Sequence, residues 1–449
     1  MKQYEAVVIG AGPGGYEAAL ELAHSGLKVL LVDRNKERIG GTCLNEGCIT
    51  SKSYLQSAQY LSKASFFSDC GVMLDVKGLD MKRLREKTIS LKDEIRSGVL
   101  WLLEQAGVET LYGLASFVNA NTIEVSNEKI HFEKCIIATG SQVRELPHLP
   151  LDKKKIISSK EVFELEALPA SIIIIGGGPI GCEFATFFNA VGVEVTQLVR
   201  GEQLLSSEDE DVSKALLRAF KKRNIKVMTS VILQKAEVDE KGVKLLIETE
   251  KQEQYIQSDS VLCATGRVPY TQGLSTEKAG IELDENGFVK VNDSFQTVQK
   301  HIYAIGDCID TYAFAHTAYA EAKIAAHNII SGEASANTHI TPSTTFTDPA
   351  IASCGLKEKE AAAQGRAIEV KKAVYKVNAK SKILGDDSGF AKIIVCADSG
   401  VILGASIIGM DATEIIHEMV LAIEKEVSAK ELKEMIHAHP TVSEIIRYL

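Results

Sequence analysis

Two copies of one glycine pattern constrain the fold of this 449-residue chain more than any other feature. Each copy has G-x-G-x-x-G spacing and lies between an apolar, strand-like segment and a helical stretch. Glycine lets the backbone approach a pyrophosphate closely, and the helix that follows offers free N–H groups and its positive dipole end. We therefore predict two strand–turn–helix–strand units, each with a dinucleotide site. The glycines are Gly10, Gly12 and Gly15 in the first copy and Gly176, Gly178 and Gly181 in the second.

The first copy also has a carboxylate in a suitable place. Asp33 ends the second predicted strand, 23 residues after Gly10, where it can accept hydrogen bonds from ribose hydroxyls. Each copy closes with a similar strand, CIIATGS ending near Gly140 and VLCATGR ending near Gly266. The alternative is that the glycines serve only a tight turn, and we favour the nucleotide site because the whole βαβ signature is present.

The order of these motifs predicts an α/β fold class with two Rossmann-like dinucleotide-binding domains and a C-terminal α+β domain. The first copy is longer, and we expect its extra residues after Asp33, where a helical run is predicted from residue 53 to about 65. A later strand ends at Gly306, a helix follows over residues 317–330, and strands precede helices in the remainder. The predicted segments are residues 1–148 (first nucleotide domain, with a cysteine pair), 149–270 (second nucleotide domain), 271–336 (return to the first domain) and 337–449 (C-terminal domain).

Composition excludes several classes of protein. A net charge of −10 without a basic cluster argues against nucleic acid or an anionic membrane as the main partner. The longest purely aliphatic run, residues 172–175, is far shorter than the roughly 20 residues of a membrane-spanning helix. The first nine residues are typical of a strand and not of a signal sequence. Seven of the nine cysteines are scattered singly through apolar segments, so we expect a cytoplasmic, reducing location.

The other two cysteines, Cys43 and Cys48, stand five residues apart. A disulfide closing so short a loop would stabilise the fold by roughly 2 kcal/mol, against nearly 5 kcal/mol for a loop of about 100 residues. Cys48 opens a predicted helix, whose N-terminus favours a thiolate, while Cys43 on the loop can meet a substrate. A redox pair is favoured over unrelated thiols. A metal site is disfavoured because no second Cys or His pair completes four ligands.

Three segments resemble the motifs of the flavoprotein disulfide reductases, and most of all those of the dihydrolipoamide dehydrogenase group. They are GGTCLNEGCITSK, similar to the redox motif, AIGDC, similar to a flavin-binding motif, and HAHPTVSE, similar to the C-terminal active-site motif. Their order and separation match over the whole chain. The resemblance implies a homodimer with FAD in the first nucleotide domain and NAD(P) in the second. It also implies that the C-terminal domain is a dimerisation domain and that each active site is shared between subunits.

The resemblance further implies an electron relay. Cys43 would form a mixed disulfide with a dihydrolipoyl substrate, and Cys48 would stack against the flavin and pass electrons to FAD and then to NAD⁺. His439 of the partner subunit would move the substrate's proton, oriented by Glu444. The implied protein partner is the lipoyl domain of a 2-oxoacid dehydrogenase or glycine cleavage complex.

Further residues are assigned to the cofactors by matching these motifs position by position, with Lys52 and Glu183 implied to pair beside the flavin. The expected FAD-binding residues are Gly10, Gly12, Gly14, Gly15, Asp33, Arg34, Gly41, Thr42, Lys52, Ala115, Thr139, Gly140, Asp307 and Ala315. The expected NAD(P)-binding residues are Gly176, Gly178, Pro179, Ile180, Gly181, Glu183, Val199, Arg200 and Gly266.

Without the resemblance, several of these residues have plainer interpretations. Lys52 could lie on a solvated surface, and Asp307 could be a turn residue. Proline is favoured at the first position of a helix, so Pro440 is expected to open one, with His439 as its cap turning back towards Glu444. The neighbouring His437 is expected to be structural.

Two departures from the family pattern are visible. Thr50 stands where a proline is usual in the redox motif, and Thr50 or Ser51 is expected to cap the helix with a side-chain oxygen. In the second glycine motif, Val199 occupies the position of the ribose carboxylate and Arg200 follows it, a combination that suits a 2′-phosphate.

The second departure leaves the nucleotide open between NAD and NADP. Glu194 and Glu202 lie close by in sequence and could replace the missing acid, and we favour NAD on the strength of the lipoamide-type motifs. One alternative is an NADPH-dependent disulfide or metal-ion reductase on the same scaffold. A mercuric reductase is disfavoured because Cys396 is the last cysteine and no C-terminal pair follows. Another alternative is a non-catalytic dinucleotide-binding flavoprotein.

Overall fold

The computed structural model describes residues 1–250 and 252–449, which divide into two compact units. Unit 1 contains Met1–Ser53, Lys82–Arg144 and Gly266–Thr338. Unit 2 contains Tyr54–Met81, Glu145–Thr265 and His339–Leu449. The four-segment division into domains made from the sequence remains a prediction.

The strands are, in chain order, β1 Lys2–Ile9, β2 Val29–Asp33, β3 Glu109–Tyr112, β4 Ala115–Asn119, β5 Thr122–Val125, β6 Glu128–Ile137, β7 Ser141–Val143, β8 Ile156–Ser158, β9 Ser171–Ile175, β10 Glu194–Leu198, β11 Lys226–Met228, β12 Ile232–Asp239, β13 Gly242–Glu248, β14 Glu253–Ser258, β15 Ser260–Cys263, β16 Arg267–Pro269, β17 Ile302–Ala304, β18 Ser343–Thr345, β19 Ile351–Gly355, β20 Ile368–Val374, β21 Phe390–Cys396 and β22 Ile402–Ile408.

The α-helices are α1 Pro13–His24, α2 Gly41–Glu46, α3 Cys48–Ser62, α4 Ala64–Asp69, α5 Met81–Gln105, α6 Ser159–Val162, α7 Pro179–Ala190, α8 Glu210–Lys222, α9 Ala315–Ser331, α10 Glu358–Ala363, α11 Ala379–Ile383, α12 Ala412–Glu424 and α13 Ala429–Glu434. Short 3₁₀ helices cover Lys36–Arg38, Thr276–Ala279, Gly306–Cys308, Tyr375–Val377 and Ser443–Tyr448.

Unit 1 is built on a seven-stranded sheet in the order β3-β2-β1-β6-β5-β4, with β17 also paired to β6. Strands β1, β2, β3, β6 and β17 are parallel. Ile9 lies opposite both Val32 and Ile137, so the carboxyl ends of the central strands reach one edge together. Such an edge is where parallel sheets bind ligands. The core beneath it consists of aliphatic strand residues and the buried face of α1.

Unit 2 contains a second parallel sheet in the order β11-β10-β9-β15-β8, so the motif around α7 repeats the arrangement around α1. A three-stranded antiparallel sheet, β12-β13-β14, is inserted before β15. The C-terminal part has a five-stranded antiparallel sheet, β18-β19-β22-β21-β20, with α12 packed against it. These sheets confirm the predicted α/β class with two Rossmann-like units and a C-terminal α+β region.

Some local predictions were wrong. Helix α3 begins at Cys48, as predicted for the second cysteine, but it ends at Ser62 and does not continue to about residue 65. A separate helix α4 follows it, and the 25-residue helix α5 was not predicted. Pro440 does not open a helix: its peptide bond with His439 is cis, and a 3₁₀ helix starts only at Ser443. Within the described residues, no helix has the length and apolar character needed to cross a membrane.

Candidate functional site

The cysteine pair is held between the glycine turn of unit 1 and the start of α3. Cys43 lies in the short helix α2, and Cys48 is the first residue of α3. The two thiols are in hydrogen-bonding contact, and the Cys48 backbone N–H also points to the Cys43 sulfur. Cys48 opens α3 as predicted, but Cys43 lies in a helix and not on the loop expected for it, and the first amide of α3 is directed at the Cys43 sulfur.

The surroundings of Cys43 raise the pKa of its thiol. The hydrogen bond with Cys48 raises the pKa of Cys43, and burial and the charge of Cys48 raise it further. The Cys48 N–H and the positive charge of Lys52 act in the opposite direction and are outweighed. Lys52, one turn along α3 from Cys48, thus faces the pair and not only solvent. Cys48 is exposed and Cys43 is half-buried, so the contact between the two thiols suits a pair that can form and break a disulfide.

Asn45, between the two cysteines, fixes the redox loop. Its side-chain amide donates to the Gly41 carbonyl at 2.8 Å and to the Ile39 carbonyl at 3.2 Å. Its Oδ1 accepts from Arg96 of α5 at 2.6 Å. The side chain is buried, so these bonds replace water that cannot reach it. Sequence reasoning missed Asn45, because its partner on α5 is 51 residues away.

Thr50 and Ser51 do not cap α3 as expected. The Thr50 hydroxyl donates to the Gly47 carbonyl at 2.9 Å, and the Ser51 hydroxyl donates to the Cys48 carbonyl at 3.3 Å. Both hydroxyls are therefore donors to carbonyl oxygens, whereas an N-cap accepts from backbone N–H groups. Thr50 is fully buried. The helix tolerates threonine in place of proline because this hydroxyl finds a partner within the first turn.

The glycines of the first motif create close backbone approaches that a side chain would block. A Cβ on Gly10 would lie 2.3 Å from the Ala138 carbonyl oxygen, and one on Gly15 would lie 1.8 Å from the Gly10 carbonyl oxygen. Gly41 brings the start of α2 onto the turn, where its Cβ would lie 2.6 Å from Gly12 Cα. The turn and the free N-terminus of α1 form a cradle that suits the pyrophosphate of FAD.

Gly12 and Gly14 complete that turn. Gly12 is the N-cap of α1 and has no side-chain cap, so the first amides of the helix point outward. A Cβ on Gly14 would lie 3.1 Å from the Ala318 carbonyl oxygen, so this glycine lets α9 pack closely on α1.

The two residues after β2 also lie at this edge. Asp33 accepts the Ala11 N–H through Oδ2 at 2.7 Å and the Arg34 N–H through Oδ1 at 2.7 Å. Each carboxylate oxygen keeps a free lone pair, so Asp33 can still accept from a ribose. Arg34 is exposed, with its guanidinium 4.2 Å from the centre of the Tyr270 ring.

A polar cluster continues the same edge. Ser141 donates to Asp307 at 2.6 Å, and Arg267 donates to the Ser141 hydroxyl at 2.7 Å and lies 4.0 Å from the Asp307 carboxylate. Arg267 also reaches the Thr42 hydroxyl at 3.4 Å. Arg267 and Ser141 were missed from the sequence, although both stand directly after recognised glycines. Asp307 is thus more than a turn residue, since it belongs to this cluster.

Two buried hydroxyls mark where a ligand fits. Thr139 Oγ1 and Thr317 Oγ1 are buried and have no hydrogen-bond partner in the part of the chain that the structure describes. Ala315 is the first residue of α9, whose N-terminal amides have no side-chain cap. Gly140 follows Thr139 with a positive φ of 71°, and its carbonyl accepts from Tyr270. Orphaned hydroxyls beside an open helix N-terminus fit a large polar cofactor such as FAD.

The remaining predicted FAD residue, Ala115, is the first residue of β4 and pairs with Val125. It lies outside the contacts described above, and its role stays a prediction.

The second glycine motif repeats the first in unit 2. Gly178 is an extended N-cap at φ −79° and ψ 179°, close to Gly12 at −69° and −177°, and Pro179 and Ile180 begin α7. A Cβ on Gly176 would lie 2.1 Å from the Ala264 carbonyl oxygen. These approaches fit the pyrophosphate of NAD(P) as the first set fits FAD.

Gly181 and Glu183 lie further along α7. A Cβ on Gly181 would lie 2.3 Å from the Gly176 carbonyl oxygen. Glu183 is buried and accepts the Phe346 backbone N–H at 3.0 Å. The predicted partner Lys52 belongs to unit 1, and Gly266 also belongs to unit 1, directly before β16. Their predicted roles at the nucleotide stay predictions.

The ribose position of the second motif has no carboxylate. Val199 directly follows β10, is buried, and packs against Gly177, whose Cβ would lie 2.6 Å from Val199 Cγ1. Arg200 follows it and is exposed. Glu194, suggested as a substitute acid, begins β10 and therefore lies about 15 Å away at the opposite end of the strand. The suggestion that Glu194 replaces the missing ribose carboxylate was wrong. Glu202, which is exposed, is the other acid suggested for this role.

The terminal histidine and glutamate are joined directly. His439 Nδ1 lies 3.1 Å from both carboxylate oxygens of Glu444, and the Thr441 N–H donates to Glu444 at 3.0 Å. The Thr441 bond and then the His439 bond hold the pKa of Glu444 below its usual value. The His439 side chain is 71% exposed, whereas that of Glu444 is 5% exposed. The Glu444 carboxylate is therefore held in place and orients the His439 ring. The Nε2 atom of His439 makes no contact with Glu444 and lies on the exposed side chain.

His437 has a similar arrangement. Its Nε2 lies 3.0 Å from Glu418 of α12, and its Nδ1 lies 3.3 Å from the Met435 carbonyl oxygen. The side chain is only 6% exposed, which fits the structural role expected for it.

Comparisons with known proteins identify the family to which the chain belongs. The model of the family described as pyridine nucleotide-disulphide oxidoreductase matches residues 4–322. The model of the same family's dimerisation domain matches residues 341–449. The chain therefore belongs to the pyridine nucleotide-disulphide oxidoreductases. It is an FAD-dependent oxidoreductase that uses NAD(P), and its dimerisation domain supports a homodimer.

Within that family, curated relatives include dihydrolipoyl dehydrogenases. That of Chlorobaculum parvum is 37% identical over 455 residues, covering 99% of this chain and 96% of the relative. That of Staphylococcus aureus is 35% identical over 446 residues, covering 98% and 94%. Among solved structures, the HOCl-induced flavoprotein disulfide reductase RclA of Escherichia coli has a TM-score of 0.90 at 26% identity, covering 99% of this chain and 98% of RclA.

Proposed function

We propose that this protein oxidises protein-bound dihydrolipoyl groups to lipoyl disulfides by reducing a disulfide between Cys43 and Cys48, with a pyridine nucleotide as the final electron acceptor. The contact between the two thiols at the start of α3 carries this proposal. The identity to dihydrolipoyl dehydrogenases over nearly the whole chain supports it.

The thiol chemistry balances in two exchanges. A substrate thiolate attacks the sulfur of Cys43 in the disulfide, the bond between the cysteines breaks, and Cys48 leaves with the electron pair as a thiolate. The second substrate thiolate then attacks the substrate sulfur bonded to Cys43. That bond breaks, the lipoyl disulfide closes, and Cys43 is released. The substrate loses two electrons and the cysteine pair gains them.

The other residues of the chain serve this exchange. We propose that His439 of the partner subunit accepts a substrate thiol proton at the nitrogen not bonded to Glu444. Glu444 would fix the imidazole tautomer, because its carboxylate is itself anchored by the Thr441 N–H. Lys52 would stabilise negative charge at the cysteine pair. The first glycine motif and the Asp307 cluster would hold FAD, which would supply two-electron chemistry between the sulfurs and the nicotinamide.

Substitution of Cys43 tests the proposal. Cys43→Ser should abolish oxidation of dihydrolipoamide while the protein keeps its flavin absorbance, because serine is close to cysteine in size and lacks only the reactive sulfur. Cys70→Ser is the matched control, since Cys70 is exposed and outside the site. Unchanged dihydrolipoamide turnover in Cys43→Ser would refute the assignment.

The subunit partners belong to the same proposal. We propose a homodimer in the cytoplasm that serves a lipoyl domain of a 2-oxoacid dehydrogenase or glycine cleavage complex. Buried thiols such as Cys135, Cys308 and Cys354 suit a reducing compartment. Large apolar side chains of the dimerisation domain are exposed in the single chain and would be covered in a dimer: Val370, Val374, Val377, Ile383, Leu421, Met435 and Ile436.

The residues at the ribose position of the second glycine motif favour a second candidate function. On this alternative, the protein is an NADPH-dependent disulfide or metal-ion reductase on the same scaffold. Val199 and Arg200 offer a cation and no carboxylate where the 2′ position is recognised, and Glu194 lies at the wrong end of β10. A Cu(II) complex is known for RclA, which makes a metal ion a reasonable substrate to test.

Nucleotide preference separates the candidates. The rates with NADH and NADPH are measured on one purified sample with lipoamide, glutathione disulfide and Cu(II) as acceptors. Fast turnover of lipoamide with NADH supports the first function, whereas NADPH preference with another acceptor supports the second. Arg200→Gln should lower kcat/KM for NADPH roughly 10-fold or more and leave that for NADH nearly unchanged. Absence of turnover with every acceptor would favour a non-catalytic flavoprotein.

A further inference from the structure

Asn378, a buried asparagine between β20 and α11, holds the backbone directly after His439 and Pro440. Its side-chain nitrogen donates to the carbonyl oxygens of Thr441 and Val442, both at 3.1 Å. Asn378 is 1% exposed and lies 63 and 64 residues before the two residues that it contacts. The proposed function gives this side chain no role.

Both ends of the Asn378 side chain are used. Its Oδ1 accepts the Ser381 N–H at 2.9 Å and the Ser381 hydroxyl at 3.0 Å, which makes Asn378 the N-cap of α11. An asparagine amide has two N–H donors and an oxygen with two lone pairs, so these four bonds use all of them. Turning the amide over would set its oxygen against two carbonyls, so only one orientation satisfies the surroundings.

The backbone that carries Asn378 is itself firmly held. The Asn378 N–H donates to the Tyr375 carbonyl at 2.8 Å. Tyr375 is fully buried and donates its hydroxyl to the Met410 carbonyl at 2.8 Å. Its ring belongs to the apolar core of the C-terminal region, together with Val442 and Ile445. Asn378 therefore projects from a well-packed part of the C-terminal region.

The segment around the terminal histidine has little apolar packing of its own. Residues 438–440 are all exposed, and the next buried side chain after them is that of Val442. Burial of apolar surface therefore contributes little to fixing these three residues. Hydrogen bonds on either side hold them instead: the contact of His437 with Glu418 before them, and the two bonds from Asn378 after them.

Thr441 connects Asn378 with the histidine through an unbroken series of hydrogen bonds. The Thr441 carbonyl accepts from Asn378, and the Thr441 N–H donates to Glu444 at 3.0 Å. Glu444 in turn lies 3.1 Å from His439 Nδ1. Val442 adds a second link, because its carbonyl also accepts an N–H of the 3₁₀ helix that carries Glu444. A shift of these two carbonyls would therefore move the carboxylate and the imidazole as well.

We propose that Asn378 is a positioning residue for His439 of the same subunit. By holding two consecutive carbonyls, it sets where Glu444 and the imidazole stand when the imidazole accepts the substrate thiol proton. The proposal rests on the proposed function and deepens it. Asn378 itself gains and loses no proton. Its effect on the rate comes from placement, since a base must lie within hydrogen-bond reach of the proton that it takes and a misplacement of about 1 Å can cost roughly 100-fold.

The experiment compares Asn378→Ala and Asn378→Asp with the unmodified holoenzyme. Alanine removes both donors, whereas aspartate keeps the cap of α11 and sets a carboxylate oxygen against the two carbonyls. We expect kcat for dihydrolipoamide to fall roughly 10-fold or more in each, with the rate of ferricyanide reduction unchanged. Asn328→Ala is the matched control, because Asn328 is 2% exposed and donates to the Ser294 and Ser335 carbonyls at 3.2 and 2.9 Å. It should lose stability and keep the dihydrolipoamide rate.

Two further measurements distinguish positioning from a purely structural role. In a His439→Gln background, Asn378→Ala should lower the residual dihydrolipoamide rate no further, because both changes act on one contact. A further fall there, or an equal fall in ferricyanide reduction, would overturn the proposal. A crystal structure of the Asn378→Ala holoenzyme should show the pair of His439 and Glu444 displaced by about 1 Å, and an unshifted pair would also overturn it. This structure needs no lipoyl substrate, so it decides the role of Asn378 even if the unmodified enzyme fails to oxidise dihydrolipoamide.

Discussion

His439 Nδ1 lies 3.1 Å from both carboxylate oxygens of Glu444, and Glu444 is itself held by the Thr441 N–H at 3.0 Å. The carboxylate therefore orients the imidazole and keeps its outward nitrogen ready to accept a proton. Glu444→Gln keeps the shape but lets the imidazole turn or change tautomer. We expect kcat for dihydrolipoamide to fall about 100-fold, the lower end of what a positioned general base contributes.

The measurement is a steady-state assay with dihydrolipoamide beside one with ferricyanide, which needs no proton transfer from a thiol. Only the first rate should fall. Glu434→Gln, at the exposed end of α13, is the matched control and should behave as wild type. A dihydrolipoamide rate in Glu444→Gln equal to that of Glu434→Gln would remove Glu444 from the site.

Flavin retention should depend on the contact between Gly41 and Gly12. Gly41 has a φ of +61°, and its added Cβ would lie 2.6 Å from backbone, so Gly41→Ala should displace α2 from the turn. Gly26→Ala tests strain alone, since Gly26 has a φ of +93° with nothing within 4 Å of its Cβ position. We expect purified Gly41→Ala to retain much less FAD, measured by the ratio of absorbance at 450 nm to that at 280 nm. Equal retention in the two variants would show that strain, and not the contact, is responsible.

The order of motifs made much of the site predictable, because each motif is local. The glycine turns, the cysteine pair and the pairing of His439 with Glu444 depend on residues within a few positions of each other. For His439 and Glu444, however, the contact has a different physical cause from the one predicted. Glu444 meets His439 because the Thr441 N–H holds its carboxylate, and not because Pro440 opens a helix.

Contacts between distant segments were not predictable. Asn45 depends on Arg96, Asp307 on Arg267, and Thr441 on Asn378, and no periodicity in one sequence indicates which distant segment will supply a partner. Helix α5 was not predicted, although its buried residues Met81, Leu84, Thr88, Val99 and Leu103 repeat at helical spacing. Thr50 shows a similar limit. Its hydroxyl can accept a hydrogen bond from a backbone N–H or donate one to a carbonyl oxygen, and only the backbone geometry shows that it donates to Gly47.

Thr50→Val should destabilise the protein only slightly. The hydroxyl donates to the Gly47 carbonyl at 2.9 Å, but that carbonyl also accepts the Ser51 N–H at 2.8 Å and stays satisfied. Valine has nearly the same shape, so we expect a loss of about 1 kcal/mol in the free energy of unfolding and retained dithiol activity. Chemical denaturation of the holoenzyme measures the loss. A loss above about 3 kcal/mol would show that the hydroxyl has a further role.

The largest effect on stability is expected at Lys392 of β21, which is 1% exposed in unit 2. Its ammonium lies 2.8 Å from Asp209, 2.8 Å from Asp211 and 2.7 Å from Glu358. Burial lowers the pKa of Lys392, but the three carboxylates outweigh burial and raise it. Lys392→Met leaves them to repel each other. We expect a loss of about 3 kcal/mol, the lower end for a broken buried pair, because Asp211 and Glu358 keep contact with solvent.

The loss at Lys392 should depend on pH in a definite direction. Burial raises the pKa of Asp211, but Lys392 and Lys372 outweigh it, so the pKa is lowered in the folded protein. Its stabilising contribution is therefore complete above the unfolded value near 3.9 and is lost as the pH falls through the lower folded value. The difference in unfolding free energy between wild type and Lys392→Met should narrow below about pH 4. Lys371→Met, whose partner Glu369 is 62% exposed, should differ little from wild type at any pH. A difference for Lys392→Met that stayed constant from pH 7 to pH 4 and below would mean that lost packing, and not charge, accounts for the effect.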